Sequence, residues 1–194
     1  MDADPDTEPK RRAPRRDAQK RREALLNAAA TCFATQGYGV PLEAIADQAG
    51  VGRGTLYRNF PDREALAIAI FSREIDQIEA RLDPSAPLEE TIVGMVREGA
   101  ATSSLFSRIA GEFKLNDTNR AALGLLRQRL EHAVEPVVVQ AQARGQLDAR
   151  ITARDLVLAT RMMGGLIVPF MTDAELTAQL GDALRLLARG FRPR

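Results

Sequence analysis

The residues best equipped for chemistry lie close together in one short run: Gly52, Arg53, Thr55, Tyr57, Arg58 and Asn59. They offer two guanidinium groups, an aliphatic hydroxyl, a phenol and a carboxamide. A guanidinium fork matches the paired acceptors of guanine, and hydroxyls and amides serve phosphate oxygens or base edges. Arg53 is the first choice for a bidentate contact to guanine, Thr55 for a methyl or phosphate contact, and Tyr57 and Arg58 for phosphates or bases. The charge distribution agrees with that chemistry. The whole chain carries a formal net charge of only +1, yet Lys10 to Arg63 holds eleven basic residues against five acidic ones. A positive field is therefore concentrated in the first third of the chain. Its basic run, Arg11, Arg12, Arg15, Arg16, Lys20, Arg21 and Arg22, has the composition of an arm that tracks phosphates or enters a minor groove. Lys20 and Arg22, on the first predicted helix, are the best placed of these.

Other chemistries lack their parts. There is one histidine, His132, and one cysteine, Cys32, so a His-rich metal site, a disulfide framework and a Cys-His pair of known spacing are all missing. No HExxH, paired CxxC, phosphate-binding loop or dinucleotide fingerprint occurs. Glu89-Glu90 and Glu131-His132 read as helix-surface charges, and Cys32 as a core residue. The sequence is not that of an enzyme, and it calls for no metal or cofactor. No apolar run approaches the ~18 residues of a membrane span, and the charged, Pro-rich start does not resemble a secretion signal. A soluble cytoplasmic protein is expected, with no membrane partner.

The elements that must position Arg53 and its neighbours are helices. Apolar residues return every three or four positions and β-branched alternation is absent, which predicts an all-α fold. Met1 to Arg16, without large apolar residues after the first, predicts a disordered basic arm. Leu25, Ala29, Cys32 and Phe33 mark a first helix ending near Gly37. Pro41 to Ala49 and Gly52 to Asn59 then form two short helices around Gly50. Ile45, Val51 and Leu56 are apolar where the two would face each other, Ala46 is small at their crossing, and Gly50 permits a left-handed turn. This is the spacing of a helix-turn-helix over Leu42 to Phe60, whose second helix presents its outward residues to a major groove. An ordinary helical hairpin is the plain alternative for the same pattern.

A longer helix starts near Asp62, which can cap it. Asp83 to Pro87 breaks the pattern and sets the expected boundary, with a head over 17–83 and a larger helical domain over 84–194. Beyond it, helices are predicted at about Leu88 to Thr102, Ser104 to Lys114, Thr118 to Arg144 with a bend at Pro136, Thr152 to Met171, and Asp173 to Arg189.

Taken with Leu25 to Phe33, Gly37-Tyr38, Phe60 and the run Asp62-Arg63-Glu64-Ala65-Leu66, the motif resembles the DNA-binding domain of the TetR family of regulators. The resemblance covers about Gln19 to Phe71. It implies a three-helix head, recognition by Gly52 to Asn59, and a phosphate contact from the start of the fourth helix, which falls on Arg63. Two positions depart from the family pattern: Pro41 stands where a hydroxyl residue is common, and Asn59 where an aromatic or histidine is usual.

The resemblance also implies that the second domain senses a small-molecule effector and that its last two helices form a homodimer. The residues fit both roles. Leu156 to Val168 is apolar on more than one face, and Leu176, Leu180, Leu184, Leu187 and Phe191 add a further stripe. Met95, Phe106, Phe113, Leu126, Met162, Met163 and Phe170 can wall a ligand pocket, since Met and Phe make adaptable apolar surfaces. Arg108, Glu112, Asn116, His132 and Arg161 are the polar groups able to orient a ligand. The expectation is a ligand-responsive repressor that occludes a palindromic operator and is released by its effector. A sequence-independent architectural DNA binder is the rival, but it would have no use for so large an apolar second domain.

Overall fold

A computed structural model describes residues 12–109, 116–166 and 171–191. Among them are eight helices: α1 (Arg12–Gln36), α2 (Leu42–Gln48), α3 (Arg53–Asn59), α4 (Arg63–Arg81), α5 (Leu88–Ile109), α6 (Asp117–Ala143), α7 (Ala153–Gly164) and α8 (Asp173–Phe191). No strand occurs among the described residues, as the helical periodicity requires. No helix there is long and apolar enough to cross a membrane. By compactness the chain divides into a first unit, Met1–Ala67, and a second, Ile68–Arg194. The division thus falls inside α4, whereas the turn at Asp83 to Pro87 joins α4 to α5 within the second unit.

The first unit is held by the residues whose spacing predicted burial, joined by Leu26. Leu25, Leu26, Ala29, Cys32 and Phe33 of α1, Ile45 and Ala46 of α2, and Leu56 of α3 are each fully buried. α1 packs on α2, and α2 on α3. The rings of Phe33 and Tyr38 meet with centroids 5.1 Å apart at an interplanar angle of 52°, a tilted geometry that suits their quadrupoles. Two glycines make the chain reversals: Gly37 (φ 94°) ends α1, and Gly50 (φ 66°) turns α2 toward α3. A left-handed backbone at these places costs a side-chain-bearing residue free energy that glycine avoids. α4 begins as expected: the Asp62 carboxylate accepts from the Ala65 backbone N–H at 2.7 Å, satisfying one of the orphan donors of a helix start.

In the second unit, Ile92, Met95 and Val96 of α5, Val134, Val137, Val138 and Ala141 of α6, Leu156, Val157 and Met163 of α7, and Leu180 and Leu184 of α8 share one buried cluster with Ile78. α7 packs against both α5 and α6. Its start is fixed by a capping box in which Thr152 accepts from the Asp155 N–H and Asp155 accepts from the Thr152 N–H. The hydroxyl and backbone N–H of Thr152 both favour the ionised carboxyl, which holds Asp155 below the usual carboxylate range.

Three predicted boundaries differ. α1 begins at Arg12, inside the segment expected to be disordered; Pro14 falls in its first turn, where the missing N–H has no intrahelical partner to lose. α5 is continuous through Thr102-Ser103-Ser104, because poor helix formers without Pro or Gly lower propensity but do not break a helix anchored by burial. α7 ends at Gly164, short of the expected Met171, where the pair Gly164-Gly165 lowers helix propensity; α6, by contrast, is one helix through Pro136, as expected. Residues 1–11 of the expected arm, Arg11 among them, lie outside the described residues.

Candidate nucleic-acid interface

α3 is only seven residues long, too short to be helical alone in water. It is held in place by Leu56, which faces inward, and by Phe60 just beyond its end, which is 2% exposed. With Leu56 fixed, helical geometry turns Arg53, Tyr57 and Arg58 outward, and all three are exposed. Thr55 is half-buried, and its hydroxyl accepts from the Arg58 guanidinium at 3.3 Å. Asn59 is exposed, but its amide donates to the Thr55 carbonyl at 2.7 Å. The face therefore offers two cations and a phenol, with Asn59 turned back on its own helix.

The two glycines beside Arg53 differ in their setting. Gly52 precedes the helix with φ −68°, a backbone that any residue adopts, and Gly54 is absent from the positive-φ positions. A Cβ added at either would meet nothing within 4 Å. Gly52 is the N-cap of α3, where glycine is favoured over alanine, whereas Gly54, inside the helix, lowers helix propensity relative to alanine by about 1 kcal/mol. At Gly54, therefore, neither backbone conformation nor internal space requires glycine.

Tyr57 reaches across the motif. Its hydroxyl donates to Glu43 Oε1 of α2 at 2.7 Å. That bond is the main cause holding the Glu43 carboxyl below its ordinary range, helped by its own backbone N–H and by the fields of Arg53 and Arg63. The same bond pushes the Tyr57 phenol up. Sequence reasoning missed Glu43 as a member of this face, since a pairing fourteen positions apart leaves no periodic signal.

The remaining nominees divide. Lys20 is exposed on α1. Arg22 is half-buried, with its guanidinium 5.1 Å from the Phe60 ring centroid, so it covers the end of α3. Pro41 sits before α2 with φ −57° and supplies no side-chain cap. Arg63 lies at the start of α4 as expected, but it points inward: Nη1 donates to the Val40 carbonyl at 2.6 Å and also to the Tyr38 carbonyl. Its guanidinium lies 5.4 Å from the Tyr38 ring centroid. Arg63 ties the loop after α1 to α4, and that nitrogen is already committed there.

A separate cavity of about 650 Å³ lies within the second unit. Phe71, Ile75 and Ile78 of α4, Met95 and Val96 of α5, Leu126 and Leu130 of α6, and Val157 and Met162 of α7 give it apolar walls, with Glu74, Arg127, Thr160 and Arg161 as polar lining. Its size is in the range of small-molecule sites. Met95, Leu126 and Met162, named from the sequence, are among its lining residues. Met163 is not: it is 2% exposed, in the core cluster, because adjacent helical positions differ by about 100° in direction. The side chains of Phe106 and Arg108 lie outside the described residues, as do Glu112, Phe113 and Phe170. Asn116 caps α6 through the Asn119 N–H, and His132 is an exposed partner of Glu135 at 3.6 Å. Of the polar candidates, Arg161 lines the cavity.

Residues 25–70 match the family model described as bacterial regulatory proteins, tetR family. The HTH-type transcriptional repressor KstR of Mycobacterium tuberculosis is 39% identical over 69 residues, which are 35% of this chain and 31% of that protein. The match therefore spans about a third of that relative. The HTH-type transcriptional regulator UidR of Escherichia coli is 26% identical over 169 residues, covering 82% of this chain and 84% of the relative. Among solved structures, a TetR transcription regulatory protein from Mycobacterium vanbaalenii is similar with a TM-score of 0.62 and 27% identity, over 93% of this chain and 99% of that one.

Proposed function

The chain belongs to the TetR family of DNA-binding transcriptional regulators, and from that premise we propose that it is a cytoplasmic homodimeric repressor, released from a palindromic operator by a small-molecule effector. The observation that carries the DNA part is the outward face of α3, where Arg53, Tyr57 and Arg58 stand exposed on a helix anchored by Leu56. Arg53, at the N-terminal end of α3, reads guanine, and Arg58, Lys20 and the α1 start support it on phosphates. Arg63 contributes by holding the loop before α2.

Arg53→Ala tests this. Operator fragments selected from genomic DNA on the wild-type protein are expected to bind the variant about 10- to 100-fold more weakly, with an unchanged thermal melt. Equal affinity of variant and wild type in a fluorescence anisotropy titration would remove Arg53 from the contact set. Gly54→Ala is the complementary test. It is expected to stabilise the head by about 0.5–1 kcal/mol in denaturant titration while weakening operator binding about tenfold or more, since a methyl group at van der Waals contact blocks close approach of the duplex. A gain in stability with unaltered affinity would show that the glycine has no part in DNA binding.

The effector reading rests on the cavity. Its apolar walls suit an apolar effector body, and Arg161 and Thr160 supply polar contacts at one side. An effector that binds one conformation of the dimer better than another shifts the population toward it, and operator and effector then oppose each other reciprocally. The dimer reading rests on α7 and α8. Leu158 (54% exposed) and Met162 (62%) of α7 and Leu166 (36%) just beyond its end are spaced four residues apart, and Leu186 of α8 is 69% exposed. The predicted stripe through Leu180 and Leu184 is instead buried in the protomer's own core, leaving Leu158, Met162, Leu166 and Leu186 for the partner.

A further inference from the structure

A tyrosine hydroxyl has a single proton to donate and lone pairs with which to accept. In this chain the Tyr57 proton is directed to Glu43 Oε1 at 2.7 Å. Tyr57 is 44% exposed on the outer face of α3, and its oxygen keeps lone pairs with which to accept. We propose that Glu43 is a positioning residue for DNA recognition: by taking the phenolic proton, it presents the Tyr57 oxygen as an acceptor that reads an exocyclic amino group on a base edge. This inference rests on α3 being the recognition helix and assigns one of its contacts.

Three features lead to it. Phosphate oxygens at neutral pH only accept hydrogen bonds, so a phenol whose proton is committed elsewhere has nothing to offer them. The major groove, by contrast, displays donors at the N4 amino group of cytosine and the N6 amino group of adenine. The Glu43 carboxylate also repels a phosphate brought close to the phenol, which disfavours the register in which Tyr57 lies on the backbone. Finally, the carboxylate stays ionised: Tyr57, its own N–H, Arg53 and Arg63 all hold it below its ordinary range. Charge-assisted hydrogen bonds of this kind are the stronger ones, so the pair keeps its orientation at the approach of DNA.

The expected consequence is selectivity rather than general affinity. Without the pair, Tyr57 is free to donate to any phosphate and carries no sequence information. With it, one base pair in each half-site is restricted to those that place an amino group opposite the phenol.

The test is selection of a randomised duplex library on the full-length wild-type protein, Tyr57→Phe and Glu43→Gln, followed by affinities for the selected and a random duplex. Wild type is expected to enrich adenine or cytosine at one symmetry-related pair of positions. Tyr57→Phe should erase that preference alone and lower affinity for the selected duplex about tenfold. Glu43→Gln should weaken the same preference and raise affinity for random DNA, as a negative charge leaves the interface and the phenol regains a choice of partner. Circular dichroism melts control for folding, and a purely structural role would shift melts without changing base preference. If Tyr57→Phe weakens selected and random duplexes by the same factor with every base preference intact, the tyrosine is a phosphate contact and the proposal is wrong. Failure of the wild type to enrich any sequence is a separate result, which overturns the DNA-binding reading and this assignment with it.

Discussion

Glutamate at both Leu158 and Met162 is expected to leave the protein monomeric and to reduce operator affinity by about a thousandfold or more. The two side chains are 54% and 62% exposed and lie one helical turn apart on α7. Each protomer alone does not bury them, so the substitution leaves its own core of Leu156, Val157 and Met163 intact. In a dimer the same positions become desolvated, and four unpaired carboxylates in an apolar interface are far costlier than the leucine and methionine they replace. Operator binding suffers because two linked heads engage two half-sites with a high effective concentration, whereas a monomer must bind each half-site independently. Light scattering checks the mass and anisotropy the affinity. Because Leu158 and Met162 also line the cavity, Leu186→Glu serves as an independent variant away from it. A dimer that persists in both would place the interface elsewhere.

Leu56→Ala is expected to have the largest effect on the head itself. Leu56 is fully buried and is the only buried residue of α3. Loss of a buried leucine side chain costs about 2–5 kcal/mol through lost transfer energy and the cavity left behind. That is a large part of the ~5–15 kcal/mol by which typical domains are stable. A seven-residue helix has no independent stability to fall back on, so α3 loses its seat and Arg53 its orientation. Chemical denaturation should show the loss, with operator binding abolished at temperatures where the wild type is folded. Arg53→Ala offers the contrast, because an exposed side chain should leave stability within about 0.5 kcal/mol while still impairing binding. If Leu56→Ala bound operator as well as wild type, the α3 face could not be the recognition surface.

The helix-turn-helix is legible in the amino-acid sequence because it is written in local terms: Ile45, Ala46 and Leu56 at helical spacing, and Gly50 where the backbone must turn left-handed. Each follows from helix period and backbone chirality, which act over a few residues. The Asp62 cap and the burial of Cys32 are local in the same sense. The limits of α5 and α1 are less legible, because propensity is a weak prior that tertiary burial readily overrides.

The sequence by itself thus determined the all-α fold, the position of the short helix α3 and the apolar residues that anchor it, since those depend on periodicities and backbone sterics. Only the tertiary structure decided the partners of the long polar side chains. Tyr57 meets Glu43 fourteen residues away, and Arg63 turns back to Tyr38 and Val40, twenty-five and twenty-three residues earlier. It likewise separated Met162 at the cavity from Met163 in the core. These outcomes depend on the angles at which helices dock and on which of many rotamers then finds a partner, and neither is encoded in the spacing of residues along one helix.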